Sequence, residues 1–546
     1  MSTADIGVHR EAERKVEREA EKMATIRLRA VVAGCMLSAA FLAIPTALGA
    51  EGVDQRLPDA AMKRDFATVH ALLRDGADPN VKGRFATPTL HWLVRVDALD
   101  AVKELLDAGA DPNAVTGDNL SALSLAITNA NTAMVELLLN AGANANTREP
   151  AGETMLMSAA AVGTPGSISA LLAHGAEVDA LDRDYGQSAL MVAAREGHAD
   201  AVQLLLKAGA NPNLHTNIGK TPAFIGPNSV PGFGFGVGII RGGVPKDRGR
   251  REPTPGGMTP LLYAARGGYV EVGKLLLDAG ADLNASEADN IWPLLMAISN
   301  DKVPMAQFLL KQPKVLINSQ DWYGRSPIWE AVNVRNIYIH NAFFTHDVDR
   351  EPLLGLIQAL LDAGADPNVR TKETPPFRNH LLAITGSLEW VDFTGQTPFL
   401  TAAFAGDVTV MKLLLAHGAD PRIDTFEGTS PLMAAAGVNW TVAQTWTEGE
   451  AQLLEAVKLC QELGMDLNQS NSMGINALMG AANRGSDTII RYLVDQGADL
   501  AKLDNENRSA LDWAKGVFLA THPAEAKPSS IALITELLTA QGKPVR

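Results

Sequence analysis

Residues 259–284 read TPLLYAARGGYVEVGKLLLDAGADLN. Thr259 before Pro260 is typical of a helix start, because the hydroxyl oxygen caps a free amide and proline has no amide to leave unpaired. The run Leu275–Leu277 gives a second helix its apolar stripe. Gly280 suits the left-handed residue that commonly ends a helix. The segment therefore predicts two short helices joined by a turn.

The end of this segment, Gly-Ala-Asp-x-Asn, recurs along the chain. The first four copies start at intervals of 33 residues, which indicates one structural unit repeated in tandem. Exact or degenerate copies begin at Gly76, Gly109, Gly142, Gly175, Gly209, Gly280, Gln312, Gly364, Gly418, Gly464 and Gly497. Helix-opening phrases with Ser or Thr before Pro lie between them, at 326–327, 397–398 and 430–431. We therefore expect one continuous array rather than several separate domains.

The combined pattern T-P-L-x-x-A-A and L-L-L-x-x-G-A-D-x-N resembles the ankyrin-repeat family over residues 57–542. The resemblance implies an all-α repeat solenoid of about twelve stacked helix-turn-helix units with short β-hairpin fingers. It also implies that the fingertips and the exposed side of the first helices form a concave binding face.

Residues 1–50 are expected to be an N-terminal export signal or membrane anchor with a charged n-region. Residues 30–50 carry no charge and follow Arg27 and Arg29, and cleavage is expected after Gly49 or Ala50. Translation from Met23 rather than Met1 would give the more compact signal. We therefore expect an ankyrin-repeat protein of a bacterial exported type, periplasmic or secreted. If the segment is uncut, residues 30–50 would anchor it in the inner membrane and make its only membrane contact.

Five insertions interrupt the repeat and are expected to carry what is particular to this protein. They lie near 214–256, 334–350, 371–393, 438–449 and 517–529. The first is rich in glycine and has a basic end, but it contains no G-x-G-x-x-G motif, which argues against a phosphate-binding loop. A flexible finger and a partner-docking arm both remain open for it.

Composition and motifs argue against several classes of function. The net charge of −15 opposes binding to nucleic acid. The two cysteines, Cys35 and Cys460, cannot build a structural zinc cluster, and Cys460 is expected to be a buried, inert thiol on a helix. No H-E-x-x-H, G-x-S-x-G, C-x-x-C or Walker pattern is present. The sequence therefore predicts no enzyme, no cofactor and no metal site.

The leading hypothesis is a noncatalytic scaffold that holds an unidentified protein, one with a basic surface, against its concave face and fingers. The contact candidates are fingertip residues, together with one tryptophan of an insertion: Asp118, Asn119, Asp184, Tyr185, Trp322, Tyr323, Trp390, Phe426 and Glu427. The alternative is a small-ligand or glycan receptor in which the insertions near 214–256 and 371–393 close a pocket lined by Tyr323, Trp390 and Phe393.

Overall fold

The computed structural model describes residues 54–150, 152–219, 256–337, 350–373, 391–440, 449–517 and 524–545. These ranges contain 24 α-helices, which follow one another in twelve pairs. The expected export signal at 1–50 lies outside the described residues. Of the helices just counted, none combines the length and the apolar character that a membrane span requires.

The helices are numbered here in chain order. The first twelve are α1 (Arg56–Lys63), α2 (Phe66–Arg74), α3 (Thr89–Arg95), α4 (Leu99–Asp107), α5 (Ala122–Thr128), α6 (Thr132–Asn140), α7 (Met155–Val162), α8 (Pro165–Ala173), α9 (Ala189–Glu196), α10 (Ala199–Lys207), α11 (Pro260–Gly267) and α12 (Val270–Asp278). The others are α13 (Pro293–Ser299), α14 (Val303–Leu310), α15 (Pro327–Ile337), α16 (Glu351–Asp362), α17 (Pro398–Ala405), α18 (Val408–Ala416), α19 (Pro431–Ala436), α20 (Glu450–Glu462), α21 (Ala477–Arg484), α22 (Asp487–Asp495), α23 (Ala510–Lys515) and α24 (Pro528–Ala540).

Odd-numbered helices are the first helices of each pair and even-numbered helices are the second. Each first helix packs against its own partner and against the first helices of the neighbouring pairs, and the second helices contact one another in the same way. One apolar core runs through all the pairs. Ala264 and Ala265 of α11 and Leu276 of α12 are completely buried in it. The predicted all-α repeat solenoid is confirmed.

The first helices begin at the residues that the sequence indicated. The side-chain oxygens of Thr259, Thr397 and Ser430 each accept a hydrogen bond from the amide three residues later, at 3.2, 3.1 and 3.3 Å. Trp292 stands at the same position before α13, where its indole nitrogen donates to the carbonyl of Leu316 at 3.1 Å. Hydroxyl caps therefore start most of the first helices, and a buried tryptophan takes that position once.

Eleven of the twelve second helices are followed by a left-handed glycine, as predicted, whereas Lys314 takes that position after α14. Gly280 has a φ of +87°, a left-handed conformation that only glycine adopts without strain. Its amide donates to the carbonyl of Leu277 at 3.0 Å, and the amide of Ala281 donates to Leu276 at 2.9 Å. This glycine motif satisfies the last carbonyls of α12 and turns the chain toward the next finger.

The fingers are shorter than full hairpins. Among the described residues, isolated antiparallel bridges close four of them: Lys82 with Pro88, Val115 with Ser121, Arg148 with Thr154, and Ser470 with Asn476. The finger at Asp182 closes instead through the amide of Asp182, which donates to the carbonyl of Gln187 at 2.9 Å. Each finger is thus a tight turn whose tip lies beside the next tip.

The asparagine that ends Gly-Ala-Asp-x-Asn joins one repeat to the next. Nδ2 of Asn146 donates to the carbonyl of Gly175 at 2.9 Å, and Oδ1 accepts from the amide of Glu177 at 2.9 Å. The same two bonds are made by Asn80, Asn113, Asn213, Asn284, Asn318, Asn368 and Asn468. We call this series the asparagine ladder.

The ladder is incomplete at three positions, the last of which carries Ala501 in place of asparagine. Asp179 replaces asparagine and keeps only the acceptor role, toward the amide of Asn211 at 3.0 Å. Arg422 replaces asparagine before α20 and makes neither bond. The joint between the repeats that end at Gly418 and Gly464 therefore lacks this side-chain link.

The insertion near 334–350 is closed at its base by a charged clamp. Its inner residues 338–349 lie outside the described part of the chain. Nε of Arg335, at the end of α15, lies 2.9 Å from Oδ2 of Asp407, and Nη2 of Arg350 lies 3.1 Å from the same oxygen. Asp407 also caps α18 through the amide of Val410 at 3.2 Å. Both ends of the insertion are thereby fixed to the neighbouring repeat.

Replacing Leu276 by alanine tests how far the core is shared between repeats. Because the residue is completely buried, we expect Leu276→Ala to lower the free energy of unfolding by about 2–5 kcal/mol and to separate the two halves of the array in urea denaturation. Leu503→Ala is the control, since Leu503 is 49% exposed. A single transition unchanged from the wild type would contradict the nearest-neighbour account.

Variants of the asparagine ladder test its contribution. We expect Asn146→Ala to lower the free energy of unfolding by about 1 kcal/mol, because two solvent-exposed hydrogen bonds are lost. We expect Arg422→Asn to raise it by about 1 kcal/mol by adding the link that this joint lacks. Both are measured by urea unfolding. A lack of change in both variants would show that the ladder does not stabilise the stack.

Candidate partner-binding surface

The tips of successive fingers form one row along the molecule, which we call the fingertip row. Backbone hydrogen bonds join neighbouring tips. In each, an amide donates to a carbonyl of the preceding finger: Asn217 to Tyr185 (2.8 Å), Trp322 to Asp289 (3.0 Å), Phe426 to Thr394 (2.9 Å), Ser472 to Glu427 (2.8 Å) and Asn505 to Met473 (3.1 Å). These bonds hold the tips in register with one another. Side chains on the row therefore occupy fixed relative positions before any partner arrives.

Among the aromatic candidates that lie in the described ranges, Tyr185 is the most exposed, with 69% of its surface accessible. Its turn is built around the buried carboxylate of Asp182. That carboxylate accepts hydrogen bonds from the amides of Asp184, Tyr185 and Gln187 at 2.9, 2.6 and 2.8 Å. The exposed Asp184 carboxylate and the Tyr185 ring are thus presented on a rigid turn.

Phe426 is also exposed at its fingertip, at 54%. The guanidinium of Arg370 lies 4.2 Å from the centre of the Phe426 ring, a cation–π contact. Arg370 is itself held by the carbonyls of Asp424, at 2.7 Å, and Gly395, at 3.2 Å. Glu427, next to Phe426, is half-buried. One face of the ring is thus covered while the rest remains open to solvent.

Tyr323 is a correction to the sequence prediction. Only 6% of the residue is exposed, and its ring meets Trp322 edge-on with 5.0 Å between the ring centres. Its carbonyl accepts from the amides of Lys372 and Glu373, where the chain enters the insertion near 371–393. The placement of Tyr323 on the partner surface was therefore wrong, because the following segment packs against this finger. Trp322 is half-buried at the same contact.

Three candidates remain, of which the structure describes Asp118 and Asn119 but not Trp390. Asp118 and Asn119 are exposed at the second fingertip, and Asn119 adopts a φ of +61°, which asparagine tolerates better than most residues. Trp390 lies outside the described residues. Asn119 thus has a role in the turn whether or not it contacts a partner.

Phe85 belongs to the fingertip row but was missed. It is 84% exposed within the 3₁₀ turn Arg84–Ala86 of the first finger. The signal was present in the sequence, because Phe85 precedes Asp118 by 33 residues and so occupies the same place in its repeat. Exposed aromatic rings thus occur on the first finger, on the finger after α8 and on the finger after α18.

The return segment of the insertion near 371–393 lies across the first helices. The ring of Phe393 contacts that of Phe404 on α17, with 5.2 Å between the ring centres. The amide of Val391 donates to Oδ1 of Asn439, just after α19, at 3.2 Å. Phe393 and Val391 are both buried. Phe393, which the alternative hypothesis placed in a pocket, therefore packs as a core residue against α17.

Buried charges lie beneath the middle of the row. Nε of Arg325 is 2.7 Å from Oδ2 of Asp321, and Nη1 is 3.3 Å from Oε1 of Glu330. Oγ of Ser299 donates to the same Glu330 oxygen at 2.7 Å. Burial raises the pKa of Asp321, and the neighbouring Arg325 opposes that shift. The network is ordered by its own hydrogen bonds, and it fixes the finger before α15.

The described residues offer little to chemistry beyond binding. They contain no group of three or more histidine, cysteine, aspartate or glutamate side chains arranged to hold a metal ion. Cys460 is completely buried on α20, and burial raises the pKa of its thiol. The prediction of a buried thiol is confirmed for Cys460, and a thiol in that state is a poor nucleophile.

Glu287, in the finger before α13, provides a test of pH dependence. Burial, together with the charge of Asp289, raises its pKa to about 7, although the amides of Ile291 and Asp289 oppose the shift. The folded chain therefore binds this proton more tightly than the unfolded chain does. We expect the free energy of unfolding to fall by roughly 1–2 kcal/mol as the pH rises from about 4.5 to about 7.

The variant Glu287→Gln should remove this part of the pH dependence, measured by urea unfolding across the same window. Glu271→Gln is the matched control, because Glu271 is exposed on α12 of the same repeat. If the two variants keep the same slope as the wild type, Glu287 does not titrate in that range.

Comparisons with known proteins agree with the repeat architecture. A family model described as ankyrin repeats in three copies matches residues 57–149 and 123–216, and a single ankyrin-repeat model matches 256–288 and 394–426. The structures of the human ASB11 ankyrin repeat domain and of the Bcl-3 ankyrin repeat domain are each 24% identical, with TM-scores of 0.36 and 0.37. Each comparison covers 47% of this chain and 99% of the other chain.

Curated relatives match over different lengths. Notch homolog protein 1 of Cricetulus griseus is 34% identical over 166 residues, 30% of this chain and 6% of that protein. The ankyrin repeat and KH domain-containing protein mask-1 of Caenorhabditis elegans is 31% identical over 488 residues, 82% of this chain and 16% of that protein. The chain thus spans less than a fifth of either relative. The family models thus identify ankyrin repeats within residues 57–216, 256–288 and 394–426.

Proposed function

We propose that the chain is a noncatalytic scaffold that binds a protein partner through the fingertip row and the concave face of the first helices. Ankyrin repeats generally mediate protein–protein interaction, which supports the class of function. The observation that carries the proposal is the exposure of Phe85, Tyr185 and Phe426 at fingertips, where backbone hydrogen bonds join the tips of Tyr185 and Phe426 to neighbouring fingers. Large aromatic side chains are the residues that most often anchor protein interfaces.

The mechanism is preorganisation. The backbone bonds between tips and the turn built on Asp182 fix Tyr185 before binding, so little conformational entropy is lost when a partner docks. Tyr185 and Phe426 would act as anchors, and Asp118, Asp184 and Glu427 would add negative charge at three places along the row. Together with the net charge of −15, this arrangement favours a partner with a basic surface.

We further propose that the protein acts outside the cytoplasm, in a bacterial periplasm or the medium. The support is the uncharged run at 30–50 preceded by Arg27 and Arg29, which is typical of an export signal.

Site-directed photo-crosslinking in intact cells tests both proposals. A photoreactive amino acid at Tyr185 or Phe426 should give a discrete adduct with one protein, because both positions are exposed on the row. The same amino acid at Lys207, exposed at the end of α10 on a second helix, is the matched control and should give none. Adducts equally abundant at Lys207, or none at either fingertip, would contradict the binding proposal.

Cell fractionation of the same samples tests the location. The crosslinked chain should appear in the periplasmic or secreted fraction and begin near Glu51. Leu42→Arg, which places a charge in the apolar run, should retain the chain in the cytoplasm. Cytoplasmic recovery of the wild-type chain would contradict export and leave the binding proposal to be judged by the adducts alone.

A further inference from the structure

Two arginines meet on the face of the first helices between α9 and α11. Arg195 and Arg266 occupy the same position near the ends of these neighbouring helices. Nη1 of Arg195 donates to Oε1 of Gln187 at 3.1 Å, and Nε2 of Gln187 donates to the hydroxyl oxygen of Tyr263 at 2.9 Å. The guanidinium of Arg266 lies 5.0 Å from the centre of the Tyr263 ring. We call Gln187, Arg195, Tyr263 and Arg266 the arginine–tyrosine cluster.

The cluster is fixed from beneath and open above. Tyr263 is buried, and its hydroxyl accepts the hydrogen bond from Gln187, so the ring is a rigid support. Arg266 is exposed and, within the described ranges, its guanidinium has no carboxylate partner. Arg195 pairs with the adjacent Glu196 at 2.8 Å, but both side chains are partly exposed, so the pair is weak. The cluster thus offers hydrogen-bond donors, and its two arginines together with Glu196 carry one net positive charge.

The presence of arginine in two neighbouring repeats distinguishes the arginine–tyrosine cluster from the repeat that contains Arg95. Arg95 on α3 occupies the same position as Arg195, but the next two first helices carry Thr128 and Ala161 there. Arg95 therefore has no arginine beside it in the next repeat. A charge at this position occurs elsewhere in the array, whereas the arginine–tyrosine cluster combines two such charges over one supporting ring.

The cluster also adjoins an exposed aromatic anchor. Tyr185 stands two residues before Gln187, on the rigid turn built around Asp182. The exposed ring of Tyr185 therefore belongs to the same finger as Gln187, which is hydrogen-bonded to Arg195 and Tyr263 of the cluster. Guanidinium groups bind carboxylates through short, charge-assisted hydrogen bonds, and arginine is better suited to this than lysine because its donors form a planar fork.

We propose that the arginine–tyrosine cluster, together with Tyr185, binds an acidic peptide segment of the partner. A glutamate or aspartate carboxylate contacts Arg195 and Arg266, and a neighbouring apolar side chain packs on Tyr185. This inference rests on the proposed scaffold function and names the anchor that the partner supplies. The partner can still carry a basic surface elsewhere, since the molecule as a whole has a net charge of −15.

The net negative charge of the whole molecule argues for a peptide rather than a nucleic acid as the ligand of the cluster. A polyanion spreads many phosphates over a molecule that is acidic overall, so repulsion at most positions opposes the attraction at one cluster. A short segment with isolated carboxylates can contact Arg195 and Arg266 directly, and only the few carboxylates beside them, such as Glu196 and Asp184, oppose it. Charge complementarity at this place is therefore better satisfied by an acidic, partly apolar peptide.

Fluorescence anisotropy with the full chain tests the proposal. The probe is a short fluorescein-labelled peptide of alternating glutamate and leucine, and the comparison peptide has lysine in place of glutamate. We expect the glutamate peptide to bind preferentially, and the double variant Arg195→Ala with Arg266→Ala to weaken its binding about tenfold or more. Arg95→Ala, which removes an exposed arginine from the same helix position, should leave the affinity near the wild-type value.

A second variant separates charge from geometry. Arg266→Lys keeps the charge but loses the planar fork, and we expect an affinity between those of the wild type and the double variant. Circular dichroism and urea unfolding of each variant confirm that the stack is intact. Because both arginines are accessible on their helices, we expect little change in the unfolding midpoint.

Several results would overturn the proposal. These are no binding of the glutamate peptide by the wild type, equal weakening by Arg95→Ala, equal binding of the lysine peptide, or tighter arginine-dependent binding of a single-stranded oligothymidylate. Photo-crosslinking from Phe426 in the double variant distinguishes this failure from failure of the scaffold function. Adducts that persist at full yield would leave the scaffold standing and remove the arginine anchor, whereas no wild-type adduct would remove the scaffold itself.

Discussion

A pair of short helices cannot bury both of its apolar faces by itself, and every other feature of this molecule follows from that constraint. Each pair covers the face of the one before it and leaves its own next face to be covered in turn. Alanines such as Ala264 and Ala265 bring the first helices close enough for this contact. The asparagine ladder then fixes the register, since one amide side chain bonds both a carbonyl and an amide of the following repeat.

The regular part of this design could be predicted from the sequence because its determinants are local. The hydroxyl of Thr259 and the left-handed Gly280 define helix ends through contacts with residues three or four positions away in the chain. Exposure at a fingertip depends on more distant contacts. Tyr185 and Phe426 are exposed as expected, but Tyr323 is buried because the chain at Lys372 returns to its finger. No periodic pattern encodes the contact of an insertion with the stack.

The same reasoning explains why the binding face is uneven. At the position that carries Arg195 and Arg266 in two repeats, α17 carries Phe404, and Phe393 from an insertion covers it. One stretch of the first helices therefore presents guanidinium groups to solvent, and another is sealed by the chain itself. Identical backbones thus support different chemistry, because single substitutions at one repeat position decide whether the face is polar and open or apolar and covered.

The clamp formed by Arg335, Arg350 and Asp407 has a consequence for how such an array diversifies. Since both stems of the insertion are pinned to one carboxylate, the chain between them can lengthen at only a logarithmic cost in closure entropy and without disturbing α15 or α16. New segments can be grafted at that edge while the adjacent helices keep their packing. A single salt-bridged aspartate thereby makes the edge of a repeat a permissive place for evolutionary change.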